Sequence, residues 1–327
     1  MPSFETTLPP RLSAGDTVVA VATGFPGSKV PPEVLSIAEL RLSEMGLGTT
    51  YSPNAFGNDG KAPTIEERAS DIHNAFTNSS YDGILSIIGG YDTNSILPEL
   101  DYEMIQQNPK TICGSSDLTS LLNAIHAKTG LVTYYGPHLS TFGQQIFDEY
   151  TRESFESAVM EDKPYILPIS ASWTDDKWYQ DQQNRSDHPN FGPWCIQPGY
   201  HESDSIGGNL ASLNLLQGTE FFPEKDNPIV FIEEIARNGL GFFVRSLHSL
   251  AQSQRIGGLL IGRMQLGSDI NQENLSECIA SVKLLKDVPV VANLDFGHTL
   301  PMSTLPIGGT IRVETDYDQS TITIINH

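Results

Sequence analysis

The sequence predicts an α/β protein of two domains, and three observations lead to this fold class. The chain has 327 residues, whereas a typical domain has about 100–200. In its first half, short β-branched runs alternate with segments of helical periodicity, which is typical of a parallel sheet flanked by helices. Residues 168–200 have no clear period and are followed by further strand signals. We therefore predict an N-terminal Rossmann-like α/β domain (1–167), a linking loop (168–200) and a C-terminal α/β domain rich in strands (201–327).

The elements of the first domain are bounded by glycines, prolines and capping residues. The run Thr64-Ile-Glu-Glu67 is a capping box, which predicts the start of a helix. Gly46 is suited to end an earlier helix, at 32–45. We predict strands at 17–22, 83–88 and 110–113, and helices at 32–45, from 64 through 76, and after Asp117.

The linking loop contains all three tryptophans, at positions 173, 178 and 194. A connection of this length is usually either functional or disordered, and its aromatic content favours a functional, partly ordered loop. Beyond it, we predict strands at 228–232, 258–261 and 288–291 and a β-rich tail with strands at 310–313 and 321–325.

Charge and composition exclude several classes of partner. Nineteen basic and forty acidic residues give a net charge of −21, which disfavours nucleic-acid polymers and anionic membranes as partners. The three cysteines are widely spaced and form neither a zinc pattern nor a disulfide framework. The first residues lack the features of a signal peptide. These observations predict a cytoplasmic protein that needs no metal or other cofactor.

Ser116 lies where a predicted strand turns into a helix. In such a turn the side chain is lifted out of the sheet, and backbone N–H groups point toward its oxygen. The run Gly114-Ser-Ser-Asp-Leu118 therefore resembles a nucleophile elbow, although it lacks the second glycine of that motif and is equally suited to a helix cap. Upstream, Gly89-Gly90 ends a strand and would allow the backbone to approach a ligand closely.

Two further residues could complete a catalytic group. Glu233 ends an apolar strand, and a carboxylate there could orient a histidine or simply be solvated. His298 lies in a turn-rich, glycine-flanked loop, whereas His73 and His126 lie on predicted helices. Three other motifs of binding or catalysis are absent from the sequence: the phosphate-binding P-loop, the G-x-G-x-x-G fingerprint of dinucleotide binding and the H-E-x-x-H motif of zinc peptidases.

Several runs, taken together and in order, resemble the serine LD-carboxypeptidase family. They extend over nearly the whole chain, from about Leu12 to Ile325. They are Ile88-Gly-Gly90, Asn94-Ser-Ile-Leu-Pro98, Leu100-Asp-Tyr102, Asn108-Pro-Lys110, Gly114-Ser-Ser-Asp117, Lys128-Thr-Gly-Leu-Val-Thr-Tyr-Tyr-Gly-Pro137, Gly207-Gly-Asn-Leu210, Ile232-Glu-Glu234, Gly297-His298 and Leu305-Pro-Ile-Gly308.

The resemblance implies a Ser–Glu–His triad drawn from two domains, with the active site in the cleft between them. By position, the nucleophile would be Ser116, the base His298 and the orienting acid Glu233. The backbone N–H groups of Gly90 and Asp117 would form the oxyanion hole. The resemblance also implies a homodimer.

Within the family, the tryptophan-bearing loop resembles that of the microcin C self-immunity branch. That branch cleaves the amide between an aminoacyl or peptidyl group and a nucleotide-like moiety. Trp178 matches the tryptophan that stacks on the adenine, and aromatic stacking tolerates any base. The substrate-binding residues implied are Trp178, Trp173, Gly89, Asn209 and Arg237.

The chain departs from the branch at two positions. Ser115 stands where an aromatic residue is usual, and Ala211 stands where the immunity protein has a polar residue that contacts the ligand. An anionic ligand would also need a local basic patch in a chain of this charge, for which Lys177, Arg237 and Arg245 are candidates.

Three alternatives to an aminoacyl-nucleotide amidase stay open. The first is a murein tetrapeptide LD-carboxypeptidase, which a shorter loop with fewer tryptophans would have favoured. The second is a catalytically silent binding protein of the same fold, which the presence of all three triad residues argues against. The third is an ordinary α/β-hydrolase, which shares the chain order Ser, acid, His.

Overall fold

The computed structural model describes residues 4–58 and 61–327. The α-helices of this part are α1 (Pro32–Glu44), α2 (Ile65–Thr77), α3 (Tyr102–Gln107), α4 (Thr119–Thr129), α5 (Glu149–Val159), α6 (Leu210–Asn214), α7 (Gly239–Ser253) and α8 (Gln272–Ser281). Short 3-10 helices lie at Gly27–Lys29, Thr93–Glu99, Ser116–Leu118, Leu139–Gly143, Ala236–Asn238, Leu266–Ser268 and Lys283–Leu285. In this part, no helix has both the length and the apolar character needed to cross a membrane.

The β-strands belong to two large sheets and one small one. They are β1 (Thr17–Val21), β2 (Gly48–Tyr51), β3 (Gly83–Ser86), β4 (Thr111–Gly114), β5 (Thr133–Tyr135), β6 (Tyr165–Ile166), β7 (Ser172–Trp173), β8 (His188–Pro189), β9 (Trp194–Gln197), β10 (Gly199–Asn209), β11 (Ile229–Glu233), β12 (Gly258–Gly262), β13 (Val290–Leu294), β14 (Leu305–Ile307), β15 (Thr310–Thr315) and β16 (Ser320–Asn326).

The first sheet has the strand order β14–β5–β4–β3–β1–β2. Strands β1 to β5 pair in parallel, which confirms the predicted parallel sheet. Their side chains are largely buried because helices cover both faces, as expected for such a sheet. The predicted capping box opens α2, since Thr64 Oγ1 accepts from the Glu67 N–H and the Glu67 carboxylate accepts from the Thr64 N–H.

The second sheet has the order β6–β16–β15–β10–β11–β12–β13–β9. Strands β10 to β13 pair in parallel, whereas β15, β16, β6 and β9 join antiparallel. The predicted α/β fold with a strand-rich C-terminal part is therefore confirmed.

Strand pairing crosses the expected division of the chain at two places. Strand β6 lies in the N-terminal segment but pairs with β16 of the second sheet. Conversely, β14 lies in the C-terminal segment and pairs with β5 of the first sheet. The predicted linking loop also contains β9, which pairs with β13. Prolines at 193 and 198 flank β9 and obscure its alternation in the sequence.

The two sheets share a continuous apolar core. Buried residues of the first sheet, such as Ile84, belong to the same cluster as Ile206 of β10 and Phe231 of β11. Helix α4 connects them, because it follows the end of β4 and packs against β10 and α6. This packing brings the carboxyl ends of β4 and β11 together.

Candidate active site

Ser116 has a left-handed backbone conformation, with φ of +56°. This conformation is uncommon for a residue with a side chain, and it occurs often where the surroundings hold a functional group in place. Ser116 directly follows β4 and begins the 3-10 helix that leads into α4. Its backbone N–H donates to the Tyr135 hydroxyl at 3.2 Å. The turn therefore has the strand–turn–helix geometry of a nucleophile elbow.

Glu233 is fully buried at the end of β11. Its Oε2 lies 2.6 Å from His298 Nδ1. Its Oε1 accepts hydrogen bonds from the Tyr135 hydroxyl at 2.8 Å and from Asn209 Nδ2 at 3.0 Å. Three donors from different elements thus converge on one carboxylate, which fixes the orientation of the imidazole.

The pKa values of this pair shift toward the charged forms. Burial would raise the pKa of Glu233, but the His298 charge and the three hydrogen bonds outweigh it and lower that pKa. Loss of water would lower the pKa of His298, but the Glu233 carboxylate outweighs it and raises that pKa above 6.5. The pair therefore stabilises a proton on the imidazole, as a general base requires.

Gly297 allows the His298 loop to lie against Glu233. Its φ is +105°, and a side-chain carbon there would lie 2.8 Å from the Glu233 carboxylate and its stem. No larger residue fits this position without displacing the loop.

Ser116 and His298 face the same cavity, which has a volume of about 750 Å³. Gly89 and Gly90 also line it, and a side-chain carbon at Gly89 would lie 3.3 Å from Ser116 Oγ. Trp178, Lys177 and Arg237 lie in its wall. The cavity thus brings together residues that are far apart in the chain and belong to both sheets.

Three of the predicted residues lie elsewhere. Trp173 lines a neighbouring cavity of about 330 Å³, where its ring contacts His188 and the Arg263 guanidinium. The Asn209 amide donates to Glu233 and Glu234 and its oxygen caps α6, so it supports the carboxylate instead of facing the cavity. Arg245 lies over the Phe242 ring. Sequence position alone could not distinguish these orientations.

The sequence reasoning missed Tyr135 and His138. Both belong to or follow the Tyr-Tyr-Gly-Pro run that carries the family resemblance, but no spacing rule indicates where their polar atoms point. His138 lies in the cavity wall beside Gly89, and its buried Nδ1 has no hydrogen-bond partner among the described residues. Burial and the nearby His298 charge lower the pKa of His138 to about 3, so it is neutral at physiological pH.

Asp117 follows Ser116 and has a second role in the turn. Its carboxylate accepts from the Thr93 backbone N–H at 2.8 Å, and burial raises its pKa. This contact joins the nucleophile turn to the segment after Gly90. Among the described residues, no group of three His, Cys, Asp or Glu side chains could hold a metal ion.

Comparisons with known proteins agree with this geometry. A family model described as the LD-carboxypeptidase N-terminal domain matches residues 17–136. One described as the LD-carboxypeptidase C-terminal domain matches residues 202–313. YocD of Bacillus subtilis strain 168, which is named provisionally as a carboxypeptidase, is 41% identical over 321 residues, covering 97% of this chain and 99% of its own.

MccF of Escherichia coli, named as the microcin C7 self-immunity protein, is 33% identical over 279 residues, covering 81% of this chain and 79% of its own. A structure of MccF in complex with aspartyl sulfamoyl adenosine is 30% identical, covers 98% of this chain and 99% of its own, and has a TM-score of 0.87. The crystal structure of an MccF-like protein from Bacillus anthracis strain Ames is 41% identical, covers 98% of this chain and 100% of its own, and has a TM-score of 0.96. The protein therefore belongs to the LD-carboxypeptidase family and is a serine peptidase of the carboxypeptidase type.

Proposed function

We propose that the protein hydrolyses the amide bond of aminoacyl- or peptidyl-nucleotide compounds through Ser116, His298 and Glu233. One observation carries this proposal: a serine in a strained turn shares a cavity with a histidine whose Nδ1 lies 2.6 Å from a buried glutamate. A nucleophile, a base and an orienting acid are the three parts that acyl transfer through serine requires.

In the proposed reaction, Ser116 Oγ attacks the carbonyl carbon of the substrate while His298 Nε2 accepts the hydroxyl proton. The tetrahedral intermediate collapses as His298 gives that proton to the leaving nitrogen, and an acyl-enzyme remains. Water then attacks the ester carbonyl with His298 again as the base. His298 returns that proton to Ser116 Oγ as the ester bond breaks, and the free carboxylic acid is released. Glu233 stays ionised and stabilises the imidazolium that forms in both steps.

The oxyanion would be bound by the backbone N–H groups of Gly90 and Asp117. Gly90 lines the cavity, and Asp117 directly follows Ser116 at the amino end of the turn. Donors fixed in place before the reaction stabilise the developing charge without reorganising, which makes them a large source of rate enhancement.

The cavity supports a nucleotide-like substrate in three respects. Its volume of about 750 Å³ suits a ligand of that size. Trp178 offers an aromatic face in the same wall, which suits stacking on a base. Lys29, Lys177 and Arg237 line the same cavity and outnumber its acidic residues, Asp175 and Asp176, in a chain whose net charge is −21. The ligand of the related MccF structure, aspartyl sulfamoyl adenosine, combines an aminoacyl group with a nucleoside, which is the kind of substrate that such a cavity suits.

A substrate panel tests the proposal. Purified protein is incubated with aspartyl sulfamoyl adenosine and with a murein tetrapeptide, and the product masses are recorded. We expect the protein to release the free amino acid from the first compound, and we expect the Ser116→Ala variant to release none. Turnover of the tetrapeptide alone would move the function to cell-wall peptide recycling, and turnover of neither by an intact fold would favour the binding-protein alternative.

A further inference from the structure

One buried hydroxyl group contacts both halves of the proposed active site. The Tyr135 hydroxyl accepts from the Ser116 backbone N–H at 3.2 Å and donates to Glu233 Oε1 at 2.8 Å. Tyr135 is fully buried at the end of β5 in the first sheet, whereas Glu233 ends β11 in the second. Tyr135 is not among the described residues that line the cavity. Any influence of Tyr135 on the reaction therefore passes through Ser116 and Glu233.

We propose that Tyr135 is a positioning residue for the reaction, and that its hydroxyl group holds the Ser116 turn at a fixed distance from the Glu233–His298 pair. This inference rests on the proposed function, because it assumes that the three residues act together. It adds a residue whose role is to set the geometry between the two sheets.

The backbone of Ser116 supplies the first reason. A non-glycine residue keeps a left-handed conformation only where its surroundings hold it there. The N–H of Ser116 has its hydrogen-bond partner in the Tyr135 hydroxyl, which therefore satisfies a backbone donor that the turn withdraws from the strand.

The carboxylate of Glu233 supplies the second reason. A buried carboxylate needs donors, and the Tyr135 hydroxyl shares Oε1 with the Asn209 amide while His298 binds Oε2. Burial raises the pKa of the Tyr135 phenol well above its usual range. The hydroxyl therefore keeps its proton at neutral pH and always donates to Glu233.

Close packing restricts where that hydroxyl can be. The Tyr135 and Phe231 ring centroids are 5.9 Å apart. Gly208 of β10 has φ of +125°, and a side-chain carbon there would lie 2.5 Å from Thr119 Oγ1 and 3.0 Å from Tyr135 Cδ2. The glycine thus lets β10 lie directly against the tyrosine ring, so the ring has little room to move.

The test compares Tyr135→Phe with Tyr134→Phe. Tyr134 is the adjacent residue and is also fully buried, but its hydroxyl accepts from Arg11 Nη1 at 3.3 Å. Each change removes one oxygen and keeps the ring. We expect Tyr135→Phe to lower kcat by about 10- to 100-fold, the effect of losing a hydrogen bond to a charged group, with little change in KM. Tyr134→Phe should keep the kcat of the unmodified protein.

The pH profile separates positioning from a structural role. The titratable groups nearest the hydroxyl are Glu233 and Glu234, with His298 paired to Glu233 and the neutral His138 beside His298. Without the donor, the carboxylate attracts the imidazolium proton more strongly, so the acid limb of kcat/KM should move to higher pH. Incorporation of 3-fluorotyrosine at position 135, which makes the phenol a stronger donor, should move it to lower pH. A loss of packing would lower the thermal midpoint and leave the limb in place.

The outcomes distinguish this inference from the function on which it rests. An active Ser116→Ala would overturn the proposed function. An inactive Ser116→Ala together with an unchanged kcat and pH profile in Tyr135→Phe would overturn only the role of Tyr135. If Tyr135→Phe fails to fold by circular dichroism, the 3-fluorotyrosine protein decides, and an unmoved acid limb there counts against the role.

Discussion

Ser116 and Ser115 are neighbours with different surroundings, and this difference gives a sharp test of the nucleophile. Ser116 has φ of +56°, whereas Ser115 is extended and buried. Ser116→Ala should lower kcat by on the order of 10⁴- to 10⁶-fold and keep the fold, because a triad fails as a unit. Ser115→Ala should keep most of the activity. Steady-state kinetics on both variants checks this, and the reverse pattern would place the nucleophile one residue earlier.

The coupling of His298 to Glu233 predicts a specific pH dependence. Only the neutral imidazole accepts the serine proton, and the carboxylate raises the pKa of His298 above 6.5. The rate kcat/KM should therefore rise with pH through a midpoint above 6.5, because activity appears only as the imidazolium loses its proton. The profile is measured between pH 5 and 9 in buffers of constant ionic strength.

Glu233→Gln should move that midpoint to lower pH, because the negative charge that holds the proton is removed. It should also lower kcat by on the order of 10⁴-fold, because the imidazole loses its orienting partner. A midpoint that stays in place in Glu233→Gln would assign the raised pKa to Glu234 instead.

At the scale of elements, the loop between β6 and β9 contains one tryptophan in the cavity and one outside it. Trp178 lies in the cavity wall, whereas Trp173 is part of β7 and contacts His188 and Arg263. The two rings therefore allow the proposed role of Trp178 in ligand binding to be tested separately from anchoring of the loop by Trp173.

Trp178→Ala should lower kcat/KM on an aminoacyl-nucleotide by about 10- to 100-fold, the equivalent of about 1–3 kcal/mol of stacking. Hydrolysis of a small amide without a base should barely change. Trp173→Ala should instead lower both activities together and lower the thermal midpoint. Equal losses on both substrates for Trp178→Ala would argue against stacking on a base and favour the murein peptide.

The same loop is joined to the His298 segment by hydrogen bonds to Asp295, which also forms a buried ion pair. Asp295 accepts from the Ser170 backbone N–H and hydroxyl at 2.9 and 2.8 Å and pairs with the Arg263 guanidinium. Both charged side chains are at most 4% exposed. The base of the loop is thus fixed to the turn three residues before the proposed base.

Asp295→Ala should lower the free energy of unfolding by about 3–5 kcal/mol, because it leaves a buried guanidinium without its partner. Glu202→Ala is the matched control, since Glu202 and Arg312 form a pair that is 34% and 37% exposed. That change should cost about 1 kcal/mol or less. Urea unfolding of both variants measures the difference, and similar small losses would mean that the buried pair adds nothing beyond an exposed one.

At the scale of the whole molecule, the sequence predicted what depends on local pattern. Strands β1, β3 and β4, the capping box of Thr64 and the strand-rich second half follow from periodicity and end signals, which the neighbouring residues determine. Strands β2 and β5 were not among the predicted strands. The family resemblance indicated Ser116, Glu233 and His298. In the structure, Ser116 and His298 line one cavity, and Glu233 contacts the His298 ring.

What the sequence could not predict depends on contacts between distant segments. The hydrogen bonds of Tyr135 join residues 98 positions apart, and the amide of Asn209 turns to Glu233 because that carboxylate needs donors. The partners of β6 and β14 are likewise set by which sheet edge is unpaired once the core has formed. Short strands of two or three residues have no periodicity from which such pairing could be inferred.

The pairing of β14 with β5 of the first sheet has a consequence for synthesis on the ribosome. While the first half of the chain emerges, the edge of β5 lacks its neighbour, because β14 is translated about 170 residues later. An uncovered edge of this kind is a site for mispairing with other chains. The loop that carries His298 lies just before β14, so the strand that protects this edge is made immediately after the last part of the proposed triad. A nascent chain of this protein therefore closes its first sheet only after all three residues of the proposed triad have been made.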